Sequence, residues 1–207
     1  SSDLFSKAQP PHYDMENYRK FKAALLPDED VVVTEKIHGT NSRFVFHDGQ
    51  LHCGSHNQWK KDEPGCVWWT IARKYGLAEK LAKVPELVFY GETYGGKIQD
   101  LSYDSKNSLF RVFDIYDTCS GKWENWDTVT RICLELGLDT VPVLYVGPLR
   151  EDVITDLSKG TSAIASHIKE GVVVKPVQDR YDHRVGRVIL KMINEAYLLR
   201  KNGTEYH

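Results

Sequence analysis

Val31, Val32 and Val33 run directly into Thr34, Glu35, Lys36, Ile37, His38, Gly39, Thr40 and Asn41. Consecutive β-branched residues read as the end of a buried strand, and the glycine that follows supplies a tight turn. The pattern commits the chain to a sheet-built core and delivers a lysine from that core's edge. A lysine leaving a buried strand is partly desolvated, which disfavours its ammonium form. An amine is a nucleophile at neutral pH only after losing its proton. Moving a lysine from a pKa of about 10.4 to about 7 takes roughly 4.6 kcal/mol. That exceeds what burial alone is expected to supply, so a neighbouring cation, most simply a bound metal, is needed for the remainder.

The rest of the chain alternates strand and helix signals. Met15, Tyr18, Phe21 and Leu25 are at helical spacing, which predicts a helix over 14–25 between Pro10-Pro11 and Pro27. Residues 43–47 alternate, Asp48-Gly49 is a hairpin turn, and the return runs from Leu51 to Gly54. A helix is expected over 67–84, ended by Pro85. Strands follow over 87–94 and 109–117, then a helix over 126–136 with Gly137 beyond its end. Residues 141–146 read as a strand and 151–167 as a helical or irregular connection. Strands at 171–177 and 187–193 flank a polar loop, and Asn194 caps a last short helix. Mostly antiparallel strands with interspersed helices make an α+β domain, and 207 residues with 41% hydrophobic content suit a single one.

Three further strings place polar groups inside apolar strands. Glu92 stands in Phe89-Tyr90-Gly91-Glu92-Thr93-Tyr94-Gly95. A carboxylate there needs a partner, and either a ribose diol or a structural lysine would serve. In Leu109-Phe110-Arg111-Val112-Phe113-Asp114-Ile115-Tyr116, strict alternation puts Arg111, Phe113 and Ile115 on one face and Phe110, Val112 and Asp114 on the other. Phe113 is therefore either a core ring or a flat surface for a purine. In Glu170-Gly171-Val172-Val173-Val174-Lys175-Pro176, Lys175 shares a side with Val173, facing a site or capping a carboxylate.

Lys36-x-x-Gly39, the Glu92 string, Val112-Phe113-Asp114, the Glu170 to Pro176 string and the terminal Arg187-Val188-Ile189-Leu190-Lys191-Met192-Ile193 occur in the order of motifs I, III, IIIa, IV and V of the covalent nucleotidyltransferases. The chain thus resembles the superfamily of ATP-dependent DNA and RNA ligases and mRNA capping enzymes. Glu35-Lys36-Ile37-His38-Gly39-Thr40-Asn41 most resembles the RNA ligase 2 family. The resemblance implies a nucleotidyltransferase (ATP-grasp-like) domain of mostly antiparallel sheets around a nucleotide cleft. It implies that Lys36 is the nucleophile that carries AMP, and that Glu35, Thr40, Asn41, Glu92, Phe113, Lys175 and Lys191 bind nucleotide. Glu170, mostly through water, and with less weight Glu92, would hold Mg2+ or Mn2+. The expected substrates are ATP and RNA with 5′-phosphate and 3′-hydroxyl ends. A DNA ligase or capping guanylyltransferase of the same superfamily is the alternative activity, and a catalytically weakened nucleotide- or RNA-end-binding module the alternative class.

Two positions depart from the family pattern. Ile193 stands where a second lysine is usual in motif V, and His56 follows Ser55 where an arginine is usual after the hairpin. The missing anionic contact falls to His56, Lys175 or Arg187, or is lost. His47, His52, Cys53, His56 and Cys66 match no standard zinc spacing and point to opposite faces of a hairpin, which argues against a metal site among them. The net charge of −2 is not that of a strong nonspecific nucleic-acid binder. RNA affinity would come from a local patch, at Lys60-Lys61 or at Arg180, His183, Arg184 and Arg187, or from another domain or partner. Residues 1–207 are expected to form the single adenylyltransferase domain of a monomer, with no accessory RNA-binding domain in this chain. No apolar run reaches the roughly 20 residues that span a bilayer, and the four cysteines read as reduced thiols. The expected location is intracellular, in the cytoplasm or a eukaryotic nucleus.

Overall fold

The computed structural model describes residues 10–200. In chain order the elements are β1 (Glu16–Asn17), α1 (Tyr18–Phe21), a 3-10 turn (Lys22–Ala24), β2 (Asp30–Lys36), β3 (Thr40–His47), β4 (Gln50–Gly54), α2 (Val67–Lys74), α3 (Leu77–Leu81), β5 (Leu87–Tyr94), β6 (Leu109–Asp117) and β7 (Lys122–Trp123). They continue with α4 (Trp126–Leu136), β8 (Val143–Pro148), α5 (Glu151–Leu157), β9 (Gly171–Pro176), β10 (Tyr181–Asp182), β11 (Gly186–Arg187), β12 (Leu190–Ile193) and α6 (Glu195–Leu198). One five-stranded sheet has the order β1-β12-β9-β2-β8 and the other β4-β3-β5-β6-β7. Apart from the parallel β1–β12 pair, the ladders are antiparallel. This is the expected α+β architecture. Among the described residues no helix is long and apolar enough to cross a membrane.

The largest apolar cluster lies between the sheets, where Val32 of β2 joins Phe44, Phe89, Phe110 and Ile115 of the second sheet and Ile71, Leu81 and Val129 of the helices. Val31 and Val33 alternate to the opposite face of β2, where they meet Tyr18, Ile154, Val172 and Val174. The valine run is thus buried on both sides, with all three side chains at 0% exposure.

Several boundaries differ from expectation for identifiable reasons. The helix over 14–25 shrinks to α1 and the 3-10 turn, because Glu16 and Asn17 pair with Leu190 and Lys191 at the sheet edge and Asn17 then caps Arg19. The helix over 67–84 is broken at Gly76, whose φ of 62° ends α2. The strand placed at 141–146 lies at Val143–Pro148: the Val141 amide donates to Val112 O instead, and Pro142 has no N–H for a ladder. The strand placed at 187–193 splits, because Val188 donates to Arg180 across the turn.

In β6 the simple alternation fails. Tyr90 pairs with Asp114 and Gly91 with Val112, so Phe113 is the extra residue of a β-bulge. Ile115 therefore joins Phe110 and Val112 in the inter-sheet core, while Phe113 and Asp114 are both turned toward β9 and the N-terminal segment.

Candidate active site

Residues 37–39 carry the chain from β2 of one sheet to β3 of the other, so the end of β2 and the start of β3 form adjoining walls of a cleft of about 480 Å3. Register fills those walls. Lys36 pairs with Gly171, which places the preceding Glu170 beside it, and Asn41 pairs with Glu92. Lys191 opposes Val173 on the neighbouring strand, and Phe113 and Lys175 complete the lining. Residues 155 positions apart in sequence, Lys36 to Lys191, thus share one cavity.

Gly39 lets the crossing happen by close approach. A β-carbon on it would lie 2.2 Å from Thr93 O, and its φ is not in the left-handed range, so the glycine serves packing rather than the tight turn expected of it.

The Lys36 ammonium donates to Glu170 Oε2 at 2.8 Å. Burial alone would lower the lysine, but the Glu170 and Glu92 carboxylates outweigh it and hold its pKa above the ordinary value. The expectation of a lysine depressed by desolvation is thereby corrected: without ligand, the amine is held charged by its neighbours. Glu170 responds in the opposite sense, held below its usual value against burial by Lys36 and His38. Desolvation, opposed by Lys36 and aided by Glu170, pushes the partly buried Glu92 up to about 8. Two carboxylates thus face one ammonium, an oxygen donor set that suits Mg2+ or Mn2+. Asn41 Oδ1 is buried in the same cleft with no hydrogen-bond partner among the described residues, an acceptor left for a ligand donor.

Lys175 does both things expected of it. It lines the cleft and lies 3.1 Å from Asp114 Oδ2. Asp114 is 0% exposed and also takes Tyr13 OH at 2.7 Å and Arg187 at 2.7 Å. Burial and the Arg187 charge depress Lys175 more than Asp114 raises it. Against burial, Arg187, Lys175 and the Tyr13 hydroxyl hold Asp114 low. The Glu35 carboxylate, at 1% exposure, accepts from Ser162 Oγ at 2.7 Å and the Ala163 amide at 2.6 Å, anchoring the 158–170 connection. Its carboxylate is thus occupied, although Glu35 also lines the cleft.

Asp114 and His38 join the expected site residues. His38 is 3% exposed, with Nε2 2.8 Å from Asp100 and Nδ1 2.7 Å from Tyr197 OH and 3.7 Å from Glu170. The signal for Asp114 was present, a carboxylate within an apolar strand, the same argument that singled out Glu92. The partners of His38 are far away in sequence and left no local trace. Of the basic patch, Arg180 pairs with Glu29, Arg184 with Asp182, and Arg187 with Asp114 and Asp179, so these three guanidinia are neutralised rather than offered to an anion.

The two sheets and the cleft between them have the RNA ligase nucleotidyltransferase fold. The structure superposes on Naegleria gruberi RNA ligase with ATP and manganese (TM-score 0.79, 21% identity), covering 96% of this chain and 58% of that one. The same protein with AMP and manganese gives a TM-score of 0.81 at 22% identity, with 96% and 58% coverage. With pyrophosphate it gives 0.79 at 22%, with 96% and 61% coverage. The chain therefore spans about three-fifths of the length of these structures. The RNA ligase family model matches residues 29–193, and the chain belongs to that family. No curated protein matches it.

Proposed function

We propose that this chain is an ATP-dependent RNA ligase of the RNA ligase 2 type, working through a lysyl-AMP intermediate on Lys36. The observation that carries this is a half-buried lysine amine 2.8 Å from a buried carboxylate, in a cleft that also holds Glu92, Phe113, Lys175 and Lys191. Lys36 surrenders its proton and its nitrogen attacks the α-phosphorus of ATP. The P–N bond forms as the bond to the β-phosphate oxygen breaks, and pyrophosphate leaves. An oxygen of an RNA 5′-phosphate then attacks the AMP phosphorus and breaks the P–N bond, releasing Lys36, and an RNA 3′-hydroxyl displaces AMP from the RNA phosphorus to seal the strand. Lys175 and Lys191 stabilise negative charge on the phosphates. Phe113 stacks on adenine, a contact worth about 1 to 3 kcal/mol. Thr40, Asn41, Glu92 and the Glu35 main chain hold base and ribose. Glu170, with Glu92, would hold Mg2+ or Mn2+, which when bound supplies positive charge against the phosphates and eases deprotonation of Lys36.

In this reading residues 1–207 belong to a single adenylyltransferase unit, which the family match over residues 29–193 supports, and further grip on RNA comes from another domain or partner. ATP dependence and four free cysteines fit a protein of the cytoplasm or nucleus. Manganese- and AMP-bearing structures of a protein with this fold support the choice of ligands.

Intact mass after incubation with ATP and Mg2+ tests the first step. The expected gain is one AMP, absent in Lys36→Ala. Labelled GTP in place of ATP tests the capping alternative, and nicks differing only in RNA or DNA on each side test the DNA ligase alternative. A wild-type chain that gains no mass at any pH would leave only a binding module.

A further inference from the structure

At the cleft, whose lining includes Asp14 and His56, His12, Asp14 and His56 bring one ligand atom each to within 4.8 Å of one another. Among the described residues this is the one group of three or more metal-ligating side chains identified, and it excludes the other histidines and cysteines of the hairpin. We propose that it binds a divalent transition-metal ion of the Zn2+ or Co2+ class.

The local structure builds the site. Tyr13 is pinned inward by its hydroxyl on Asp114 at 2.7 Å, and Tyr90 OH holds Pro11 O at 2.6 Å. In extended backbone the residues on either side of an inward side chain share the outward face, so His12 and Asp14 emerge together. His56, just beyond β4, meets them there. His12 Nδ1 and His56 Nε2 are 2.9 Å apart with ring planes at 87°. Ligands about 2.1 Å from one metal lie about 3.0 Å apart in octahedral and about 3.4 Å apart in tetrahedral geometry, so a small opening of this hydrogen-bonded pair makes it two ligands of one ion. Asp14 adds a carboxylate. Two imidazoles and one carboxylate select borderline transition ions over Mg2+, and leave coordination positions open. Asp14 and His56 also line the nucleotide cleft, so a bound ion presents its open positions to phosphate there; only this last clause rests on the function proposed above.

Co2+ is the probe, titrated into the full chain in excess Mg2+ and followed by calorimetry and by its visible absorption. One Co2+ per chain is expected, with bands of nitrogen ligation. His12→Ala and His56→Ala each weaken binding by more than the roughly tenfold that loss of an outer partner brings, while Glu170→Gln leaves it unchanged. His12 is exposed, so His12→Ala keeps the fold, and unchanged thermal melting verifies this for both variants. No binding, equal binding in His56→Ala, or binding lost in Glu170→Gln instead overturns the proposal. AMP attachment with Mg2+ alone reads the ligase function separately: cobalt bound without an adduct sinks that function and keeps this site, and the reverse sinks this site alone.

Discussion

Asp114→Asn tests how the buried charges behind Phe113 are balanced. Asparagine keeps the shape and an acceptor for Tyr13, but leaves Lys175 and Arg187 without the carboxylate they share. Arg187 retains Asp179 at 2.7 Å, so the uncompensated charge falls on Lys175, which is 6% exposed. Removing one member of a buried pair costs about 3 to 5 kcal/mol. A second bound comes from the escape open to the lysine: it can fold neutral, at a cost of about 1.36 kcal/mol for each pH unit below about 10.4. That ceiling is roughly 4.6 kcal/mol at pH 7 and roughly 1.9 kcal/mol at pH 9. Both routes predict a loss near 4 kcal/mol at pH 7, a large share of a total of about 5 to 15 kcal/mol. Urea denaturation reads it directly. With a slope of about 3 kcal/mol/M, the midpoint falls by about 1 to 1.5 M at pH 7 and by less than half of that at pH 9. Adding Lys175→Met removes the stranded charge, so the double variant should be more stable than Asp114→Asn alone at pH 7. A loss below about 1 kcal/mol, an equal loss at both pH values, or no rescue by the second substitution would refute the reasoning.

Glu92 is raised in the fold, so its contribution is fully present below the ordinary glutamate pKa and drains away as pH rises through about 8; Glu92→Gln should therefore gain melting temperature relative to wild type at pH 8.5, by roughly 2 to 4 °C per kcal/mol, and show a smaller difference at pH 5. Lys36 is held charged without ligand, so AMP attachment followed by intact mass should quicken as pH rises from 6 to 9, and a flat profile would contradict the requirement for a neutral amine. Glu35→Ala removes one buried and one part-buried hydrogen bond to a carboxylate, at about 1.5 to 3 kcal/mol each at most; limited proteolysis should cut the 158–170 connection faster, and unchanged cleavage would show that the anchor is idle. Gly39→Ala places a methyl 2.2 Å from Thr93 O and should lower the urea midpoint and abolish AMP attachment together, whereas a well-folded, active variant would mean that the two sheets can separate there.

Much of the fold is local and was readable. β5 and β6 lie over the expected residues, α4 ends at Gly137 with φ of 67°, and Asn194 caps α6 through the Ala196 amide. Those features depend on short-range periodicity and on backbone angles that few residues tolerate. The misplaced boundaries at Glu16–Asn17, Val143–Pro148 and Leu190–Ile193 all involve main chain whose partner is distant, where pairing competes with local propensity and wins. The β6 bulge is of the same kind, since Tyr90 and Gly91 on the neighbouring strand define which residue is extra.

The sequence alone determined which side chains are able to do chemistry: an amine at the end of a valine strand, acids embedded in apolar strands, and a ring beside one of them, because desolvation makes such groups costly unless they have work or partners. Only the tertiary structure decided their state. Pairing of Lys36 with Gly171 and of Asn41 with Glu92 brought two carboxylates around one ammonium, and that raised the lysine where burial alone would have lowered it. Charge interactions fall off with distance through space, not along the chain, so the protonation of the cleft follows from sheet register, which no local stretch encodes.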